Sequence, residues 1–220
     1  MKYIACASAV FTLTFCQQPI QDASTVLKQS KSIVIKPCGS QGKDTRISIS
    51  SPLNTAFADM DALIVNTWTI LGVKTINRSL IGFKTNLNKD IQVDSVFLKL
   101  HLISKTLFDH TYIGNSGENA LYVQRITSDW KEHEVNWINQ PTFTHKNQVE
   151  VPAIFEKSEG VVSINVTKLF QDHLAEAKTG NEMGLYIRMK SEEVYKKVYF
   201  ASSDNTDFDK HPELIVYYTE

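Results

Sequence analysis

Arginine is the side chain best suited to gripping a carboxylate, because its guanidinium is planar, always charged and forked. This chain has four arginines: Arg46, Arg78, Arg125 and Arg188. Each falls within or beside strand-like sequence rather than in a loop. A planar cation on a strand face can read an acidic ligand lying across a sheet, or it can pair with a neighbouring carboxylate. The other chemistry-bearing feature is aromatic. The stretch from Arg125 to Pro141 holds Trp130 and Trp137, seven residues apart, with Lys131, Glu132, His133 and Glu134 between them. Each indole would bury roughly 150–250 Å² as a core plug, or stack on a flat ligand if it lies at a surface.

Motifs for covalent or metal-assisted chemistry are missing. There is no Gly-rich phosphate loop, no HExxH, no paired CxxC and no GxSxG. His133-Glu134 is followed by Val-Asn-Trp, which rules out a zinc-protease helix. Cleaving a polysaccharide needs an acid and a base converging in space. Asp, Glu, Tyr and His are plentiful here, but no spacing brings a pair together, so the expectation is a protein without catalytic activity. The loop Ser202–Asp209 places Asp204, Asn205 and Asp207 close together, as calcium ligands tend to be. It lacks the glycine and the closing glutamate of an EF-hand. A calcium ion held there and a solvated acidic turn are the two readings.

These residues need elements to position them, and the chain reads as strands. Ser32-Ile33-Val34-Ile35, Arg46–Ser50, Ala62–Ile70 and Arg78–Phe83 are strand-like. In Val93–Ile103, Val96, Leu98, Leu100 and Leu102 share one face, the pattern of a half-buried strand. A strand at Ala120–Ser128 leads to a turn at Ser128-Asp129-Trp130, then a short strand through Val135 and Trp137, ended by Asn139-Gln140-Pro141. Further strands are expected at Val149–Phe155, with Pro152 marking an edge or bulge, at Val161–Ile164, Gly184–Met189, Val198–Ala201 and Leu214–Tyr218. Between Val166 and Ala177 the apolar spacing becomes helical, with Thr167 as N-cap and Gly180-Asn181 as the stop. Some ten strands and one short helix predict an all-β, antiparallel sandwich of jelly-roll type.

The composition, 42% hydrophobic and 21% charged with a net charge of −1, is that of an ordinary globular domain. Composition indicates no basic face for nucleic acid, though it leaves local patches open. The N-terminus reads separately. Met1-Lys2 and the apolar run Ile4–Phe15 resemble a secretory leader over 1–16, too short to span a bilayer. Leu13-Thr14-Phe15-Cys16 resembles a lipobox, with Phe15 where a small residue is usual. This predicts lipidation at Cys16, a polar tether over 17–31, a sandwich domain over 32–220, and an exported protein held at the outer membrane or cell surface. Cys38 then stands alone in the mature chain. Without lipidation, a Cys16–Cys38 bridge would be open to it.

Several motifs in order carry a family resemblance. They are Lys43-Asp44-Thr45; Trp68-Thr69 with Gly72; Arg78-Ser79-Leu80-Ile81 with Phe83; and Gln124–Trp130 leading to Val135-Asn136-Trp137 and Asn139-Gln140-Pro141. Asn165-Val166-Thr167, Phe200–Asp204 and Pro212-Glu213-Leu214 with Val216 and Tyr218 complete the set. Together they resemble the DNRLRE domain family, over about residues 40–220. That resemblance implies a β-sandwich of exported bacterial proteins, overlapping a carbohydrate-binding module family associated with alginate. Two departures remove carboxylates. Lys84 stands where the family commonly has an acid, and Asn165 replaces an aspartate.

The expected function is binding of a polysaccharide, with an anionic one such as alginate as the candidate, at a site combining Arg78, Arg125 and Lys74 with Trp68 or Trp130. The alternatives are a structural or adhesion module with all its tryptophans in the core, and a lyase or hydrolase.

Overall fold

The computed structural model describes residues 30–37, 42–50, 52–87, 91–104, 115–154, 160–176 and 182–219. The leader, Cys16, most of the tether, and Cys38 lie outside them. Eleven strands form among the described residues: β1 (Ser30–Ile35), β2 (Gly42–Ser48), β3 (Ala62–Ile70), β4 (Val73–Lys84), β5 (Gln92–Leu102), β6 (Leu121–Ile126), β7 (Phe143–Val151), β8 (Gly160–Asn165), β9 (Glu182–Met189), β10 (Lys196–Ala201) and β11 (Glu213–Thr219). One α-helix, α1 (Thr167–Glu176), lies between β8 and β9. β1 takes in the last two residues expected of the tether.

All pairing is antiparallel, in the order β1-β11-β5-β10-β3-β4-β9-β6-β7, with β2 also on β4 and β8 also on β5. β10 meets β5 through the single pair Phe200↔Leu102, so the path folds over itself there and makes a sandwich. The main core fills the interior. Val96, Leu98, Leu100 and Leu102 of β5 meet Ile81 and Phe83 of β4, Leu185 and Ile187 of β9, and Leu169 and Phe170 of α1. Among the described residues, this core runs from Ile35 to Tyr218.

A second cluster lies on the other side of β4 and β9. Ile47, Leu80, Ile126, Trp130, Val135 and Tyr186 pack together, with Trp137 and Phe143 against them. Leu80 and Ile81, which point to opposite faces, are therefore both fully buried. The segment 127–142 provides the cover. No strand runs through Val135 and Trp137, contrary to expectation. The segment is a loop ordered by its own asparagines: Asn136 Oδ1 accepts from Ile138 N (2.9 Å), and Asn139 Oδ1 accepts from Asn136 N (2.7 Å). Asparagine side chains compete with ladder bonds in this way. Gly184 makes room beneath, since a Cβ there would come within 2.8 Å of Ile126 Cβ.

Two other expectations change. β7 starts at Phe143 and stops before Pro152, because proline cannot donate to a ladder. Thr167 does not cap α1 with its side chain. Asn165 Oδ1 accepts from Thr167 N (3.0 Å) and from Thr167 Oγ1 (2.6 Å), while Thr167 Oγ1 accepts from Val96 N (2.8 Å). Asn165 thus supplies an acceptor at the start of the helix.

Candidate functional site

β4, β9, β6 and β7 lie side by side, and their register sets what their outer face displays. β4 pairs with β9 up to Ser79↔Ile187, which puts Arg78 beside Arg188 at the next position. Arg188 pairs with Tyr122, and Tyr122 with Glu150. Arg78, Arg188, Tyr122 and Glu150 thus form one row across four strands, about 14 Å from end to end at the usual strand spacing.

Arg78 is the centre of this face. Its Nε donates to Glu192 Oε1 (2.8 Å) and its Nη2 to Glu192 Oε2 (3.0 Å), a two-point fork. Its Nη1 donates to Tyr186 Oη (3.0 Å) and Gln140 Oε1 (3.4 Å). The guanidinium carbon lies 4.6 Å from the centroid of the half-buried Trp137 ring. Burial alone would lower the Arg78 pKa, but Glu192 and Tyr186 outweigh it and hold it above the usual arginine range. Tyr186 donates to Gln140 and stacks on Phe143 at 4.4 Å, and burial pushes its phenol pKa up.

Beside it, Arg188 lies 5.0 Å from the Tyr122 ring centroid and donates through Nε to Gln124 Oε1 (3.2 Å). Gln124 is fully buried and donates to Gln148 Oε1 (2.6 Å). The face therefore offers two guanidiniums, each against an aromatic ring, above a hydrogen-bonded amide floor. It suits a flat, oxygen-rich, anionic ligand. No pair of free carboxylates converges on it: Arg78 holds Glu192, and Lys190 holds Glu150.

Of the five expected ligand residues, only Arg78 stands on this face. Arg125 is 5% exposed and pairs with Leu185, a main-core residue. It reaches Glu176 at the end of α1. Trp130 is 7% exposed within the second cluster, under Lys43, and its Nε1 has no partner. Burying an indole contributes roughly 4–6 kcal/mol, against about 1–3 for an unsatisfied donor, so burial wins. Trp68 and Lys74 lie at the far end of β4, where β3 and β4 form a hairpin. The face also carries Trp137 and Arg188, weighed above but left out of the expected site, and Tyr186 and Tyr122, which were not singled out. The strand alternation was readable, but the β4–β9 register joining them was not.

The expected calcium ligands do not converge. Asn205 Oδ1 accepts from Asp207 N (3.0 Å), and Asp207 Oδ1 accepts from Asp209 N (3.2 Å). Asp207 Oδ2 is 3.3 Å from Lys210 Nζ. These side chains are building a turn. Among the described residues, no three His, Cys, Asp or Glu side chains are grouped to hold a metal ion. Asp44 is fully buried, with Oδ2 accepting from Ser203 N (2.8 Å) and Oδ1 unpartnered. Its burial raises its pKa well above the usual carboxylate range, and Asp204 and Glu132 push the same way.

Residues 40–218 match the model of carbohydrate-binding module family 96. No curated protein matches the chain.

Proposed function

From the premise that the chain belongs to carbohydrate-binding module family 96, we propose a non-catalytic module that binds an acidic polysaccharide such as alginate across the outer face of β4, β9 and β6. In this reading it is a DNRLRE-type domain, exported and held at the cell surface by lipid on Cys16. The observation that carries the ligand class is the Arg78 fork. A carboxylate, that of Glu192, lies in it with Trp137 alongside. A uronate carboxylate presents the same two oxygens to the same two nitrogens, and the ring bearing it would lie against the indole. Arg188 and Tyr122 repeat the pairing one strand further, which suits a chain with a repeated acidic unit. With a net charge of −1, affinity comes from contact rather than from long-range steering.

The test is tryptophan fluorescence of residues 17–220 titrated with alginate, pectin and neutral glycans at low and high salt. The expected result is a saturable change with an acidic glycan, weakened by salt and reduced about tenfold in Trp137→Ala. A response to neutral glycans alone, indifferent to salt, would overturn the acidic ligand. No response to any glycan would overturn binding at this face.

A further inference from the structure

The opposite end of β4 breaks the rule for a hairpin tip. β3 and β4 are joined by two residues, Leu71 and Gly72, closed by the pair Ile70↔Val73. Both central residues have positive φ, 51° at Leu71 and 80° at Gly72. Such a turn favours Asn-Gly or Asp-Gly, because a larger L side chain is strained there. Leucine is disfavoured at that position in conformation and in solvation, since Leu71 is completely exposed. Its neighbours add to the anomaly: Ile70 is 57% exposed and Val73 67%. Three aliphatic side chains thus project from a convex tip that nothing in the described chain covers. A strained residue that also exposes apolar surface marks a place where something other than folding stability decides the residue.

What stands behind the tip indicates the partner. Trp68, two residues back, packs edge-on against Tyr195 at 5.2 Å, and Tyr195 is itself 56% exposed. Lys74 is exposed, and Lys197 lies 5.3 Å from the Trp68 ring centroid. Lys196 pairs opposite Thr67 on the adjoining strand. In the loop that carries Tyr195, Glu192 is turned back to Arg78, leaving Glu193 as its exposed acid. From the tip inward, the order is aliphatic, then Lys74 opposite Thr69, then indole and phenol, then Lys196 and Lys197. This is the layering of a bilayer surface, with acyl chains outermost on the protein's axis, aromatics at headgroup depth, and cations facing anionic lipid. A convex finger of this kind does not cradle a sugar. We infer that the β3–β4 hairpin is a lipid-surface anchor, entering the interface of an anionic membrane through Ile70, Leu71 and Val73. No described helix is long and apolar enough to cross a membrane.

The test compares residues 17–220 with the same chain carrying Leu71→Asn. Asparagine suits the positive φ, so the variant is expected to fold with equal or higher Tm. Co-sedimentation is measured with vesicles of phosphatidylcholine alone and with added phosphatidylglycerol. The expected result is binding to the anionic vesicles, weakened about tenfold or more in Leu71→Asn while Tm does not fall. Brominated acyl chains should also quench the wild-type tryptophan emission, and this quenching should be lost in Trp68→Phe. Equal binding by wild type and Leu71→Asn, or binding by neither, would overturn the proposal. The second outcome would leave a protein socket as the occupant of the finger.

Discussion

Arg78 and Arg125 lie on strands separated only by β9, and each holds one glutamate. At Arg78 the fork is complete, and both side chains are near the surface: 18% exposed for the arginine and 21% for Glu192. At Arg125 the cation is 7% exposed and the acid 48%, and Arg125 Nε has no partner. The first pair lies on an aromatic wall open to one side. The second ties the end of α1 to the sheet. An arginine can exchange its carboxylate for a ligand's only where the ligand can approach and the ring or amide beside it remains. Residue type alone does not distinguish the two. Burial and the face of the sheet do.

The same substitution at both positions sharpens the contrast most. Arg78→Ala should lower affinity for an acidic glycan about a hundredfold or more, because two charge-assisted hydrogen bonds disappear together. Its effect on urea stability should be small. Arg125→Ala should leave affinity unchanged and lower stability by roughly 2 kcal/mol, from lost packing of a buried side chain and the lost tie to α1. Paired titration and urea unfolding measure both. Loss of binding in a folded Arg125→Ala protein would break the division between the two regions.

A smaller effect tests exchange itself. If Glu192 occupies the place of the ligand's carboxylate, then Glu192→Gln removes a charged internal competitor and should raise affinity about threefold to tenfold. A fall in affinity would mean that Glu192 orients Arg78 for binding and is not displaced.

How legible was this in the sequence? The strands that enclose the main core were, because one face of each is apolar. β3 begins and ends where its β-rich run does, and β5 is within a residue at each end. The first half of β7 was not. It is the last strand of the path, and Thr144 to Gln148 are polar, so no apolar period marks it. The cover over the outer face was misread as a strand, because Val135 and Trp137 alternate while Asn136 and Asn139 take up the backbone donors. The site was readable in kind: a guanidinium on a strand with an indole nearby. It was not readable in membership. Choosing Trp137 over Trp130, or Arg188 over Arg125, depends on which strands become neighbours, and β4 and β9 are a hundred residues apart in the chain. The hairpin tip was not legible, since the second strand was expected from Arg78 and β4 begins at Val73, and only the positive φ of Leu71 makes its leucine anomalous.

Asp44 is the inverse of both arginines, a buried carboxyl beside which no cation is described, and its effect is read in stability alone. Burial raises its folded pKa above its unfolded value, with Asp204 and Glu132 adding to the shift. The folded state therefore holds more protons than the unfolded chain once pH exceeds the unfolded pKa of about 3.9. The stabilising contribution of the protonated form is fully present below that pH and is lost as pH rises through the folded pKa, at up to about 1.4 kcal/mol per pH unit. Half-buried Asp172 and exposed Glu176, whose pKa values are lowered by hydrogen bonds to Asn147 and Arg125 respectively, act in the opposite sense and below the usual carboxylate range. The two windows separate. Asp44→Asn, close in shape to the protonated acid, should match wild type near pH 4 and exceed it increasingly toward pH 8. Urea unfolding of both proteins across that range measures the difference. Parallel curves would mean that Asp44 keeps its charge when buried, through a counter-charge that the arginine comparison does not provide.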